Sequence, residues 1–213
     1  LLEKNGNKNS RYKVTDLFPG GLLSRMYLYQ ENWEKTVEYA TAVINKNPRL
    51  VNFTSVWGFD DNGVEGATVN VYDWESPEVI WAFSNQDESW RYVISNIGIY
   101  SPYAVSDTLF SLYEYNPWNS DYMGDIRASR FFQMYLPTGS FFERYPLLIN
   151  KSQIRNAVSA RKGIRVAEMY LNRAEAYILL YLVEGNDTYR HNAFDVLNYL
   201  SRHRYYTSKT VYK

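Results

Sequence analysis

The chain has no cysteine among its 213 residues. Disulfides, thiolate metal sites and thiol nucleophiles are therefore excluded within it. Histidine is scarce: His191 and His203 are the two, and both are expected at the surface of one late helix. No G-x-S-x-G, no H-E-x-x-H and no phosphate-binding glycine loop occurs, so the familiar signatures of hydrolases and nucleotide enzymes are missing. Excess charge is missing too. Lys+Arg and Asp+Glu both number 23, and a nucleic-acid surface needs a basic imbalance. Nor is there an uninterrupted run of about eighteen apolar residues, the length a membrane-spanning helix requires. The chain opens Leu1-Leu2-Glu3 with neither an initiator Met nor a signal peptide. It reads as processed or truncated, with any targeting signal out of view.

What the chain does have is aromatic side chains. They make up 17% of it, with 21 Tyr and 6 Trp; the plain reading of any one of them is a large core side chain or an ordinary surface Tyr, and the functional reading is recognition. Flat rings with a polar handle suit ligands that present both C–H faces and hydroxyls, and sugars lead that class. Trp57, Trp74, Trp81 and Trp90 all fall between positions 50 and 100.

Four regions follow from the patterning. In 16–48, Asp16 precedes Leu22, Leu23, Met26, Tyr27 and Tyr29 at helical spacing, with Pro19-Gly20-Gly21 at the helix start. After the polar break Gln30-Glu31-Asn32, a second helix begins at Trp33, with Val37, Ala40, Val43 and Ile44 on one face. Pro48 stops it. The pair resembles a tetratricopeptide unit: Leu23, the small Ser24, Tyr27, Trp33, Thr36, Val43, then Pro48.

Region 50–100 carries a turn at Asp60-Asp61-Asn62-Gly63, an alternating strand at 67–72 and an apolar run at 79–83. Region 101–160 has a helix capped by Ser106 with Asp107, with Leu109, Phe110, Leu112 and Tyr113 as its apolar face. Weak strand signals flank a turn at Pro137-Thr138-Gly139. Region 163–204 is a second helical pair. Its first helix, 164–182, is expected to bury Ile164, Val166, Met169, Tyr170, Leu171, Ala174, Tyr177, Ile178 and Tyr181, with Gly185 as its stop. The second runs from about Tyr189 to His203 on Ala193, Val196, Leu197 and Leu200. The fold expected is mainly α: tetratricopeptide-like helical hairpins with long irregular loops and a few short strands.

Several stretches together resemble one family. They are Tyr27-Leu28-Tyr29 with Trp33-Glu34-Lys35 and 40–44; Ser76-Pro77-Glu78-Val79-Ile80-Trp81; 106–110 followed by Asp125-Ile126-Arg127; 164–176; and 195–198 with Arg202 and Arg204. In this order they are similar to the SusD/RagB-like outer-membrane nutrient-binding lipoproteins. The resemblance implies a non-enzymatic surface lipoprotein of Bacteroidetes that binds glycans, or in some members peptides, and sits as a lid on a SusC-like TonB-dependent transporter. It also implies that the chain is the central part of a longer protein. The signal, lipidated Cys, first helices and C-terminal acidic-arginine helix would lie outside it, and a lipid anchor would be the only link to the membrane.

Each chemical motif also has a plain reading. Glu168 and Glu175 share a helix face, and with Arg165 and Arg173 nearby they read as salt-bridge scaffolding. The turn at 60–63 lacks the ligand alternation of a calcium loop. Asp125 with Arg127 reads as a structural ion pair or a helix start. No cofactor and no metal is called for. The ligand-binding candidates are Trp74, Trp90, Arg91, Tyr92, Asn96 and Tyr100; Trp81 reads as core, Trp33 as helix packing, and Trp118 is ambiguous. The alternative to glycan capture is a tetratricopeptide-like scaffold for a protein partner, or a binder of a non-sugar nutrient such as a peptide.

Overall fold

A computed structural model describes residues 14–52, 76–83, 106–113, 125, 127, 132–135, 143–146 and 162–205. Its first helix, α1 (Leu17–Tyr29), places Pro19 in the opening turn, where a missing N–H costs little. Gly20 and Gly21 come next. A Cβ on Gly20 would lie 2.8 Å from Val43 Cγ2, and one on Gly21 would lie 2.9 Å from Ile164 Cγ2. Bare backbone is what lets α1 lie so close to its neighbours.

Glu31 turns the chain in the left-handed region at φ 58°. The Asn32 side chain then accepts the Lys35 N–H and caps α2 (Trp33–Lys46). Asp16 precedes α1 but makes no side-chain cap bond; its Oδ2 accepts from Lys46 Nζ at 3.3 Å, tying the start of α1 to the end of α2. On α2, Thr36, Ala40, Val43 and Ile44 are buried, the spacing of a single inward stripe. The second pair is α4 (Val166–Glu184) and α5 (Asp187–Arg202). Gly185 ends α4 at φ 68°, and the Asn186 side chain accepts the Thr188 N–H to start α5. Both expected helical pairs are present, and the described residues are mainly helical.

α4 packs on α2 along one side and on α5 along the other. The core is Ala40, Val43, Ile44, Ile80, Ile164, Val166, Met169, Tyr170, Ala174 and Val196. Burying each larger side chain here contributes about 1.5–3 kcal/mol before entropy is subtracted. Two short antiparallel sheets accompany the helices. β1 (Val79–Phe83) pairs with β4 (Lys162–Arg165), Trp81 opposite Ile164, with an irregularity between Val79 and Trp81. β2 (Phe132–Tyr135) pairs with β3 (Glu143–Pro146), Phe132 opposite Pro146. α3 (Asp107–Ser111) is one turn, capped by Ser106 Oγ accepting the Leu109 N–H.

Some sequence expectations need correction. Ile164 belongs to β4, and α4 starts two residues later than expected. Leu171 and Ile178 are exposed rather than buried. The reason is geometric. Packing against two helices takes Met169, Tyr170, Ala174, Ala176 and Leu180 inward, which turns Leu171, Glu175, Ile178 and Leu182 outward as one row. On α1, Met26 and Tyr29 are exposed despite their helical spacing, and on α3 only Phe110 is buried while Leu109 and Leu112 face out. The strand expected at 67–72 and the turns at 60–63 and 137–139 lie outside the described residues.

Candidate functional site

All six ligand candidates, Trp74, Trp90, Arg91, Tyr92, Asn96 and Tyr100, lie outside the described residues, as do Trp57 and Trp118. What the structure gives is the frame from which the segment carrying Trp57 and Trp74 leaves and to which it returns. The chain departs after α2 at Val51 and Asn52 and comes back at Ser76, just before β1. Ser76 and Glu78 are fully buried, and Val51 is 4% exposed.

Glu78 is the centre of that frame. Its Oε1 accepts the Val51 N–H at 2.8 Å and a hydrogen bond from Arg204 Nη2, and Arg204 Nη1 donates to the Val51 carbonyl. Oε2 accepts no hydrogen bond among the described residues and faces Arg165 Nη1 at 3.8 Å. The Glu78 carbonyl accepts the Val166 N–H at 2.8 Å, at the start of α4. Burial lowers the Arg204 pKa, and the charge of Glu78 offsets that only in part. Beside this pair, Asp125 is 1% exposed and forms an isolated bridge with Tyr205. Arg127 Nε reaches both Asp125 oxygens, at 2.9 and 3.0 Å. Burial alone would lower the Arg127 pKa, but the hydrogen bonds and charge of Asp125 outweigh it and the net shift is upward. The ion-pair reading of Asp125 and Arg127 is thus realised. Two further ties close the frame: Asn47 Nδ2 donates to the Pro77 carbonyl at 3.0 Å, and Tyr170 Oη donates to the Pro48 carbonyl at 3.1 Å.

Trp81 is half-buried, its ring edge-on to Phe18 of α1 at 4.9 Å between centroids. That agrees with a packing role. Trp33 opens α2 and is also half-buried. The salt-bridge reading of α4 needs a different set of partners. Glu168 is gripped by Arg25 of α1 through paired bonds of 2.7 and 2.8 Å, and that hydrogen bonding raises the Arg25 pKa. Arg173 donates to Thr41 Oγ1 and lies over the Tyr170 ring, while Glu175 is exposed. His191 is exposed and His203 half-buried, each with its Nδ1 against a backbone oxygen of its own helix. Among the described residues, no three His, Cys, Asp or Glu side chains gather as metal ligands would.

Sequence reasoning missed the Glu78–Arg204 pair. The signal was a carboxylate directly before an apolar strand, and an arginine in the turn just past a helix, 126 positions later. Nothing in the patterning paired them.

Two helical hairpins flanking strands, with the intervening chain tied at a buried ion pair, define a helical-hairpin scaffold of the tetratricopeptide-like kind. No protein-family model and no curated protein sequence matches the chain. The fold is that of a solved SusD-like carbohydrate binding protein from Bacteroides vulgatus ATCC 8482, with a TM-score of 0.65 and 21% sequence identity over the whole of this chain. The chain spans 41% of the length of that protein.

Proposed function

We propose that this chain is part of a cell-surface lipoprotein of SusD/RagB-like type, which captures oligosaccharide and delivers it to a SusC-like TonB-dependent outer-membrane transporter without catalysing a reaction. The observation that carries this reading is the shared fold with a SusD-like carbohydrate binding protein along the full chain. Attachment to the outer membrane would be through an N-terminal lipid. Among the described residues, no helix is long and apolar enough to cross a bilayer.

In this reading Trp74, Trp90, Tyr92 and Tyr100 offer ring faces to the apolar side of a pyranose, while Arg91 and Asn96 hydrogen-bond its hydroxyls. One stack removes little apolar surface and is worth at most a few kcal/mol at about 25 cal/mol/Å². Several rings on loops held by a rigid frame are needed. Titration calorimetry against short α-glucan, β-glucan, xylan and mannan oligosaccharides is expected to give dissociation constants between about micromolar and millimolar. Peptide binding with no oligosaccharide binding would replace the sugar with a peptide nutrient.

One observation favours the scaffold alternative. Leu171, Ile178 and Leu182 form an exposed apolar row on α4, the kind of helix face that packs against another protein surface. That reading gains if calorimetry is silent with both ligand classes.

A further inference from the structure

We infer that the outward row of α4 docks a single helix of another protein, one whose apolar stripe carries a lysine or arginine opposite Glu175. The inference rests on the scaffold reading of that row and adds to it the chemistry of the occupant. It does not depend on glycan capture.

Leu171, Glu175, Ile178 and Leu182 stand four, three and four positions apart on α4. That alternation is the seam along which two helices interlock, each side chain entering a hole between residues of the facing helix. The row runs about 16 Å along the axis, room for one helix of about three turns. Leu171 is 49% exposed, Ile178 41% and Leu182 69%. The elements α1, α2 and α5 already pack on the other sides of α4, so the seam is the side left open among the described residues.

Glu175 decides what fits there. It is exposed in the middle of the row. Its neighbours three and four positions away are Leu171, Asn172, Ile178 and Leu179, so no cation of its own helix faces it. Arg173, the sole basic residue of α4, turns to α2 and donates to Thr41 Oγ1. The acid two turns earlier, Glu168, is held by Arg25. Among the described residues, no lysine or arginine pairs with Glu175. A wholly apolar helix laid over the seam would strip water from this carboxylate and return nothing. A second copy does no better: row against row, in either direction, adds another Glu175 and no cation. A helix with one lysine or arginine at that point meets the carboxylate with a charge-assisted hydrogen bond, while its apolar residues cover the rest. The charged position also fixes the register, as polar residues do within such seams.

The test uses two stapled helical peptides of about eighteen residues, a length that carries stable helix. Both have leucines at the seam positions, and they differ only in a central lysine or glutamate. Each is labelled and titrated by fluorescence anisotropy with the 213-residue chain and with Glu175→Lys and Ile178→Asp, all checked for helicity by circular dichroism. The wild type is expected to bind the lysine peptide about fivefold more tightly than the glutamate peptide, the scale of one partly screened charge pair. Glu175→Lys should reverse that order, and Ile178→Asp should bind neither peptide. Equal binding by wild type, or no reversal in Glu175→Lys, overturns the inference and leaves the row as a face that takes helices without regard to charge. Binding that survives Ile178→Asp places the peptides elsewhere and overturns it too. If Ile178→Asp loses helicity, the reversal in Glu175→Lys decides alone. A wild type that binds neither peptide ends both the inference and the scaffold reading. Dimerisation in sedimentation that Glu175→Lys alters would give the face to a second copy and overturn the assignment.

Discussion

Glu78 and Arg204 are separated by 126 positions in sequence and meet as a hydrogen-bonded ion pair closed to solvent. Such pairs return little net stability, because stripping water from two charges offsets most of their attraction. Removing one partner is another matter. Arg204→Met leaves a buried carboxylate that keeps the Val51 N–H but has its nearest remaining cation, Arg165, no closer than 3.8 Å among the described residues. The expected loss is about 3 kcal/mol, the low end for breaking a buried pair. Glu78→Gln in the same chain recovers part of that loss. Urea unfolding of the two single variants and the double variant measures the coupling. Strict additivity would mean that the two groups do not depend on each other.

Gly20 and Gly21 make a second prediction. Glycine inside a helix ordinarily costs about 1 kcal/mol relative to alanine, so Gly→Ala at an open site stabilises. Here the new methyl would meet Val43 Cγ2 at 2.8 Å or Ile164 Cγ2 at 2.9 Å. Both are branched side chains with stiff χ1, and overpacking costs about 1–3 kcal/mol. Gly21→Ala is expected to destabilise on balance, because Ile164 Cδ1 and Met169 Sδ also lie at 3.7 Å and leave no room to yield. Gly20→Ala combined with Val43→Ala should lose less than the sum of the two. A stabilised Gly21→Ala in thermal melts would show that α1 can slide away at no cost.

The Tyr170 phenol gives a pH dependence. Burial, then the neighbouring Tyr199, push its pKa up from the usual 10.0 to about 12. Below the unfolded value of about 10 the phenol is protonated in both states, and its contribution is fully present. As pH rises from about 10 to about 12, the unfolded chain gives up this proton first and the contribution is lost. Stability should therefore fall with pH across that window more steeply in wild type than in Tyr170→Phe. The variant itself should lose about 1 kcal/mol at neutral pH for the bond to the Pro48 carbonyl. Parallel pH profiles of the urea midpoint would rule this out.

Arg25 and Glu168 make the counter-example to the buried pair. Their bonds are short and doubled, but the side chains are 39% and 27% exposed. Solvent screening limits such a pair to about 1 kcal/mol or less. Arg25→Ala should cost no more than that, and the cost should shrink at about 1 M salt, where the screening length is about 3 Å. A salt-independent loss would assign the effect to the packed arginine stem instead.

The helical frame was legible because its signals are local. Asn186 and Gly185 mark the turn between α4 and α5 by capping and by backbone conformation, and both follow from residue type. The stripe Ala40, Val43, Ile44 on α2 follows from period alone. The α4 face was harder to read, since that helix is apolar on nearly every side and period cannot tell Leu171, which faces out, from Leu180, which faces in. Only the positions of α2 and α5 decide it. The Glu78–Arg204 pair was illegible for a related reason. Pairing Glu78 with Arg204 depends on where three separated stretches converge, and no spacing within one element encodes that. Both residues fall in stretches that carry the family resemblance, which assigns neither a role.

The tryptophans offer the sharpest division between framework and recognition. Trp81 packs its ring on Phe18, and removing it takes away an edge-to-face contact worth about 0.5–1.5 kcal/mol together with buried ring area. Trp81→Ala should therefore lower the unfolding free energy by about 2 kcal/mol or more while the oligosaccharide affinity of the folded protein holds. Trp74→Ala and Trp90→Ala should do the reverse: melting temperatures close to wild type, and affinity reduced about tenfold, the equivalent of about 1.4 kcal/mol for a lost stacking face. In the capture reading proposed above, the two kinds of ring bury their surface at different moments, one on folding and the other on binding. If Trp74→Ala and Trp90→Ala melt early and bind normally, those rings are packing residues and the recognition surface has to be sought elsewhere on the chain.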